Sequence, residues 1–200
     1  MHLYVGMNKR RQDPQVSADQ YFAARAKTKD LARAGIFTGL SWLCLILAVV
    51  LPHVSLSFRI VASFLLLAAV LGQGLKAGSL IFLTTNLLNL AYPGFFLNMP
   101  YTVYFGPYVL LAFLLTKLSQ RKWLIPVRIG LGTLLFASLG LIYGRSLFPA
   151  DLVSRWLGPG ANQYFWPLVF LAGLLVTCTY DYLLALVSLL YRDRLAKYVP

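Results

Sequence analysis

The stretch from Leu71 to Phe113 reads LGQGLKAGSLIFLTTNLLNLAYPGFFLNMPYTVYFGPYVLLAF, and its reading decides the fold. Two apolar segments flank a connection rich in proline and aromatic residues that carries no charge. A bilayer core leaves unpaired polar groups unsatisfied, so a membrane helix with Thr85, Asn86 and Asn89 near its outer end needs partners for them. Either another helix answers these groups or a polar ligand does. Ser79, Phe82, Asn86 and Asn89 recur at spacings of three and four and share a face, with Thr85 and Tyr92 beside them, and that face is expected to look inward.

Working outward, the whole chain has the same character. Of 200 residues, 59% are hydrophobic and 12% charged, against roughly 45–50% and about 25% in soluble domains. The sequence therefore predicts an all-α integral membrane protein. Apolar runs of about 20 residues, enough for a core about 30 Å thick, fall at about 34–52, 57–73, 75–92, 102–118, 124–147 and 164–191. Six spans are expected, within a membrane domain over 31–195 flanked by a basic tail at 1–30 and a short tail at 196–200.

The formal charge of +12 follows this topology. Lys9, Arg10, Arg11, Arg25, Lys27, Lys29, Arg33, Lys76, Lys117, Arg121, Lys122, Arg192, Arg194 and Lys197 would share one side, leaving Arg59, Arg145 and Arg155 on the other and Arg128 inside a span. The positive-inside rule then puts both termini in the cytoplasm, in the cell membrane. A nucleic-acid surface is excluded as the cause, because no soluble domain presents one. The first thirty residues are polar, so no cleavable signal peptide is expected. Ser17 to Ala34 reads either as a helix lying on the membrane surface, with Tyr21, Phe22 and Leu31 toward lipid, or as a disordered tail before an anchor.

Cys44 and Cys178 fall inside spans and read as small apolar packers. His2 and His53 are too far apart in sequence to suggest a metal site. Gly72, Gly74, Lys76 and Gly78 mark a tight cytoplasmic turn. The outer connection AYPGFFLNMP is broken by Pro93, Gly94 and Pro100, as befits backbone that lines a cavity or is buried by protein. Tyr101, Tyr104 and Tyr108 follow at helical spacing and read either as an interfacial aromatic belt or as the wall of a pocket.

Gly130, Thr133, Ala137, Gly140 and Gly144 form a narrow stripe for close packing on the fifth span. Arg128 lies about 200° around the helix from Gly130 and is expected to snorkel to the cytoplasmic surface, with pairing to an acid as the alternative. ADLVSRWLG reads as a short helix in the longest outer loop, before Asn162, Gln163, Tyr164 and Trp166 open the sixth span. On that span Gly173, Thr177, Cys178, Asp181, Ala185 and Ser188 share one small, polar face. Asp181 is the only acid well inside a span. It is a functional-site candidate, with a structural pair to Arg128 or a tyrosine as the competing reading.

No phosphate-cradling loop, paired histidines or Ser-His-Asp set appears, and the chain contains no glutamate. Neither an enzyme nor a nucleotide site or cofactor of its own is therefore expected.

The entry KTKDLARAGIFTGL, the turn LGQGLKAG and the entry YFGPYVLLAFLL together resemble the S components of energy-coupling-factor vitamin transporters, over roughly residues 27–195. Order and spacing are most similar to the biotin-binding BioY type, through Leu71–Gly78, Tyr92–Phe96, Gly106–Pro107 and Asp181. The resemblance implies a six-helix bundle that captures a vitamin-like molecule, biotin first, between the third, fourth and sixth helices. Asn86, Asn89, Asn98 and Asp181 would hold its polar head, and Phe96, Tyr101, Tyr104 and Tyr108 its apolar part. It further implies that Gly35 and Gly39 dock against a transmembrane coupling subunit driven by cytoplasmic ATPases. Leu184 stands where the BioY type has a lysine, so a ligand carboxylate would fall to Arg59, Arg155 or Arg128. The other reading is a membrane scaffold, resembling the rod-shape protein MreD in size and helix count, or an accessory subunit of a membrane complex.

Overall fold

The computed structural model describes residues 14–118, 124–147 and 165–191, and helices account for every long element among them. They are α1 (Pro14–Val50), α2 (Ser55–Gln73), α3 (Leu75–Ala91), α4 (Gly106–Leu118), α5 (Leu124–Leu147) and α6 (Phe165–Leu190). A 3-10 turn at Pro52–Val54 opens α2. A second at Phe96–Asn98, then a π-helical turn at Pro100–Phe105, lead into α4. Five segments are long and apolar enough to cross a membrane: Thr28–Val50, Pro52–Gln73, Pro100–Leu118, Leu124–Ile142 and Phe165–Leu190. The chain is thus a multi-pass helical membrane protein. Contacts divide it into two compact units, Met1–Arg33 and Ala34–Pro200. The first is helical from Pro14 onward.

Within the second unit the α2–α3 hairpin forms as the glycines require. Gly74 adopts φ 87°, a region costly for any residue with a Cβ. Its N–H caps α2 on the Val70 carbonyl at 2.9 Å. One turn on, a Cβ at Gly78 would overlap the Val70 side chain, so the two helices meet closely there.

α5 and α6 form the other close pair. A Cβ on Gly132 would collide with the Tyr108 ring and the Thr177 methyl, one on Gly140 with Val169, and one on Gly173 with Phe136. The packing stripe is therefore Gly132, Phe136 and Gly140, with Thr133 and Ala137 buried beside it. The expected stripe is corrected at Gly130, which is exposed and has nothing within 4 Å of a Cβ. On α6 the inward face is Gly173, Thr177, Tyr180, Asp181 and Leu184, whereas Cys178 is exposed. The 3.6-residue period fixes both corrections, because residues four apart stay in line whereas Gly130 and Cys178 fall beside the line.

On α3 the inward residues are Gly78, Ile81, Thr85, Asn86 and Asn89. Ser79 and Tyr92 are exposed and leave the expected face. Leu80, Leu83, Leu87 and Leu90 make up the opposite, exposed side. A row of bare leucines is what a helix presents to lipid, since hydrocarbon solvates it without penalty. Tyr101, Tyr104 and Tyr108 are buried in the core with Phe105, Tyr180, Leu66, Val70 and Ile81, so the belt reading gives way to an internal one.

The tail before residue 14, the loop carrying Arg155, Asn162, Gln163 and Tyr164, and the segment at 196–200 lie outside the described residues.

Candidate functional site

Two polar layers lie along the segment that runs from the loop after α3 into α4. The first sits at the end of the bundle where α3 finishes. Pro93, after a cis peptide bond, and Gly94, at φ 116°, turn the chain, and the Gly94 N–H returns to the Asn89 carbonyl at 3.0 Å. Two side chains tie this loop to its neighbours. Trp42 Nε1 donates to the Tyr92 carbonyl at 2.8 Å, and Arg59 donates to the Leu97 carbonyl at 2.8 Å.

Beneath the loop, Asn98 Nδ2 donates to Asn89 Oδ1 at 3.3 Å, and the Thr102 hydroxyl donates to Asn86 Oδ1 at 2.6 Å. Asn86 spends its own NH2 on the Phe82 carbonyl at 2.9 Å and is satisfied. Asn89 and Asn98 are not. Asn89 Nδ2, Asn98 Oδ1, the Tyr101 hydroxyl and the Thr85 hydroxyl have no hydrogen-bond partner. All four residues are 0% exposed. Turning both amides over exchanges their roles and still leaves one NH2 group and one carbonyl oxygen unmatched. Each such group costs about 1–3 kcal/mol when buried, and hydrocarbon supplies no water to relieve it.

The second layer lies about two turns further along and is closed. Tyr108 Oη donates to Asp181 Oδ1 at 2.8 Å, and Arg128 donates to Asp181 Oδ2 at 2.5 Å. The Tyr104 hydroxyl pairs with Thr177 Oγ1 at 3.0 Å. Tyr180 donates to Ser63 at 2.6 Å, and Ser63 donates onward to the Ile60 carbonyl at 2.6 Å. Tyrosine rings fill the space between these bonds, with centroids 5.9 Å apart for Tyr104 and Tyr108 and 5.5 Å for Tyr108 and Tyr180. This layer ties α4, α5, α6 and α2 together, and both carboxylate oxygens of Asp181 are engaged.

The expected site therefore divides. Asn86, Asn89 and Asn98 come together in the first layer, and Tyr104, Tyr108 and Asp181 in the second, while Tyr101, its ring beside Phe82, is buried with an unpartnered hydroxyl. Phe96 joins neither, being 74% exposed against Phe95. Its correction is geometric: the 3-10 turn sends Phe96 outward and Asn98 inward. The snorkelling of Arg128 is likewise corrected to its alternative. Arg128 precedes Gly132 by four residues and shares its face toward α6, while Gly130 was the wrong reference point. Sequence reasoning missed Thr102, Ser63 and Trp42 as partners. Thr102 had a signal, standing next to Tyr101 opposite an asparagine face. Ser63 and Trp42 had none.

Gly35 and Gly39 are exposed on α1, with nothing within 4 Å of an added Cβ. Among the described residues no three His, Cys, Asp or Glu side chains gather. Comparison with known protein families, curated proteins and solved structures returned no match.

Proposed function

We propose that this chain is a membrane-embedded binding component for uptake of a vitamin-like small molecule, akin to the S component of an energy-coupling-factor transporter. Biotin is the first candidate. In this reading α3 is a sixth span, both termini are cytoplasmic, and the protein sits in the cell membrane. The exposed, uncrowded Gly35–Gly39 face of α1 receives the coupling subunit, whose ATPases supply the energy this chain has no motif to supply.

One observation carries the proposal. Four wholly buried polar residues of α3 and the segment that follows it keep an unmatched NH2 group, a carbonyl oxygen and two hydroxyls. A ureido or amide head offers the complementary donors and acceptor. The head is therefore assigned to Thr85, Asn89, Asn98 and Tyr101, with Asp181 replaced as its partner because Arg128 and Tyr108 already hold that carboxylate. A ligand carboxylate is assigned to Arg59, since Asp181 holds Arg128 and Arg155 lies outside the described residues. The bond from Arg59 to the Leu97 carbonyl brings it to the same loop.

The test is a thermal-shift titration of the detergent-solubilised protein against a panel of vitamins, since a ligand that binds only the folded state raises its apparent stability. Saturable stabilisation by one compound is expected. Asn89→Ala or Asn98→Ala is expected to weaken it about tenfold or more, as loss of one buried hydrogen bond implies. Saturable binding undiminished in both variants would refute this site.

A second reading, a non-transporting membrane scaffold, draws support from the closed second layer and from the lack of exposed surface on the first. It predicts silence across the vitamin panel and stable co-purification with a protein partner.

A further inference from the structure

We infer that the π-helical turn Pro100–Phe105 is a coupling element that transmits the state of the first polar layer to the bond between Tyr108 and Asp181. This inference rests on the reading of the first layer as a binding site and adds to it a conformational consequence. Thr85, Asn89, Asn98 and Tyr101 have no exposed surface, so nothing can bond their unmatched atoms unless something yields. α3 is a regular helix pinned to α2 by the Gly78–Val70 contact. The opposite wall is the π-helical turn, which holds one extra residue per turn, with the Gly106 N–H reaching back five residues to the Tyr101 carbonyl.

Its sequence makes the turn soft. Pro107 has no N–H to give the Val103 carbonyl, so an α-helical ladder is interrupted there whichever winding is adopted. Gly106 admits the Phe82 ring, which a Cβ would strike. The same segment carries Tyr101, Tyr104 and Tyr108. Tyr101 ends in an unpartnered hydroxyl and Thr102 on Asn86 of the first layer, while Tyr104 and Tyr108 end on Thr177 and Asp181 of α6. A shift of the turn that opens room beside Tyr101 and Asn98 therefore pulls on both ties to α6, and slackening of the Tyr108–Asp181 bond loosens the carboxylate that holds Arg128.

A cysteine placed at Thr116, whose hydroxyl lies 3.5 Å from Arg128, reports on this without any ligand. A guanidinium released from Asp181 stabilises the thiolate beside it and speeds alkylation. In full-length protein in nanodiscs carrying Cys44→Ala, Cys178→Ala and Thr116→Cys, labelling by N-ethylmaleimide is followed in time. Tyr101→Phe removes a stranded hydroxyl and favours the closed turn, so labelling is expected to slow several-fold. Asn98→Ala breaks the bond to Asn89 and is expected to speed it. Both effects are expected to vanish when Tyr108→Phe cuts the link.

If Asn98→Ala does not fold, the conservative Tyr101→Phe arm decides alone. A rate that Tyr101→Phe leaves unchanged, or alters equally with and without the Tyr108 hydroxyl, overturns the inference. Because no vitamin is present, failure of the binding reading is recognised separately, by silence in the titration.

Discussion

At the scale of single residues, the chemistry of Asp181 is that of an anion kept in a membrane by two donors. The carboxylate uses one oxygen for Arg128 and the other for Tyr108, and the two ionic side chains retain only 21% and 12% of their surface. Removing one partner from a buried pair costs more than the pair is worth, because the other charge is then stranded. Arg128→Ala or Asp181→Ala alone is expected to lower stability by about 2 kcal/mol, below the 3–5 typical of fully buried pairs since this one is partly open. Replacing the whole set by apolar residues, as Tyr108→Phe, Arg128→Met and Asp181→Leu together, is expected to recover most of that loss. Thermal unfolding of the four proteins in one detergent measures it. A combined variant less stable than either single one would show that the trio contributes something apolar packing cannot replace. The sequence marked Asp181 because an acid at that depth is rare, and it named Arg128 and a tyrosine as possible partners. It favoured snorkelling over pairing for Arg128, and wrongly, since the choice depends on which face of α5 meets α6.

Elements settle that choice through glycine. Close approach of two helices needs small residues only along the line of contact, and a glycine elsewhere on the same helix is idle. Gly132 is on the line and Gly130 is off it, although the two are only two residues apart. Gly132→Ala is therefore expected to cost about 1–3 kcal/mol, the usual range for an overpacked interior, because the new methyl meets both the Tyr108 ring and Thr177. Gly130→Ala meets nothing and is expected to be neutral or to stabilise by up to about 1 kcal/mol through helix propensity. Equal melting temperatures for the two variants would contradict the packing of α5 on α6. The helices themselves were legible as apolar runs, and the α2–α3 turn was legible as a glycine cluster around Lys76. The π-helical turn was not. Pro100, Gly106 and Pro107 signal a disturbed backbone, but which looser winding satisfies it depends on Phe82 and the asparagine face across the way.

For the molecule as a whole, composition alone was enough to announce a multi-pass membrane protein, and the exposed leucines of the helices agree with it. The number of crossings turns on α3. Its 17 residues span about 26 Å at 1.5 Å per residue, a little short of a core about 30 Å thick. Yet its outward side is Leu80, Leu83, Leu87 and Leu90, without a charge, a face of the kind that suits lipid. Were α3 to cross, the shortfall would be met at the far end, where the 3-10 turn and the bonds from Trp42 and Arg59 hold Tyr92–Pro100. If α3 crosses, Lys76 and Phe96 are on opposite sides of the membrane, and the excess of lysine and arginine puts Lys76 inside. Single cysteines introduced as Lys76→Cys and Phe96→Cys in a background without Cys44 and Cys178 decide the matter. In intact cells an impermeant maleimide is expected to label the cysteine at 96 and to reach the one at 76 only after the membrane is opened. Labelling of both from outside, or of neither, would mean that α3 turns back within the bilayer, that five helices cross, and that the two ends of the bundle domain face opposite compartments. Labelling of neither would also turn the first polar layer away from the outside, against what a receptor for uptake requires, so the same pair of cysteines tests the topology and the direction of binding together.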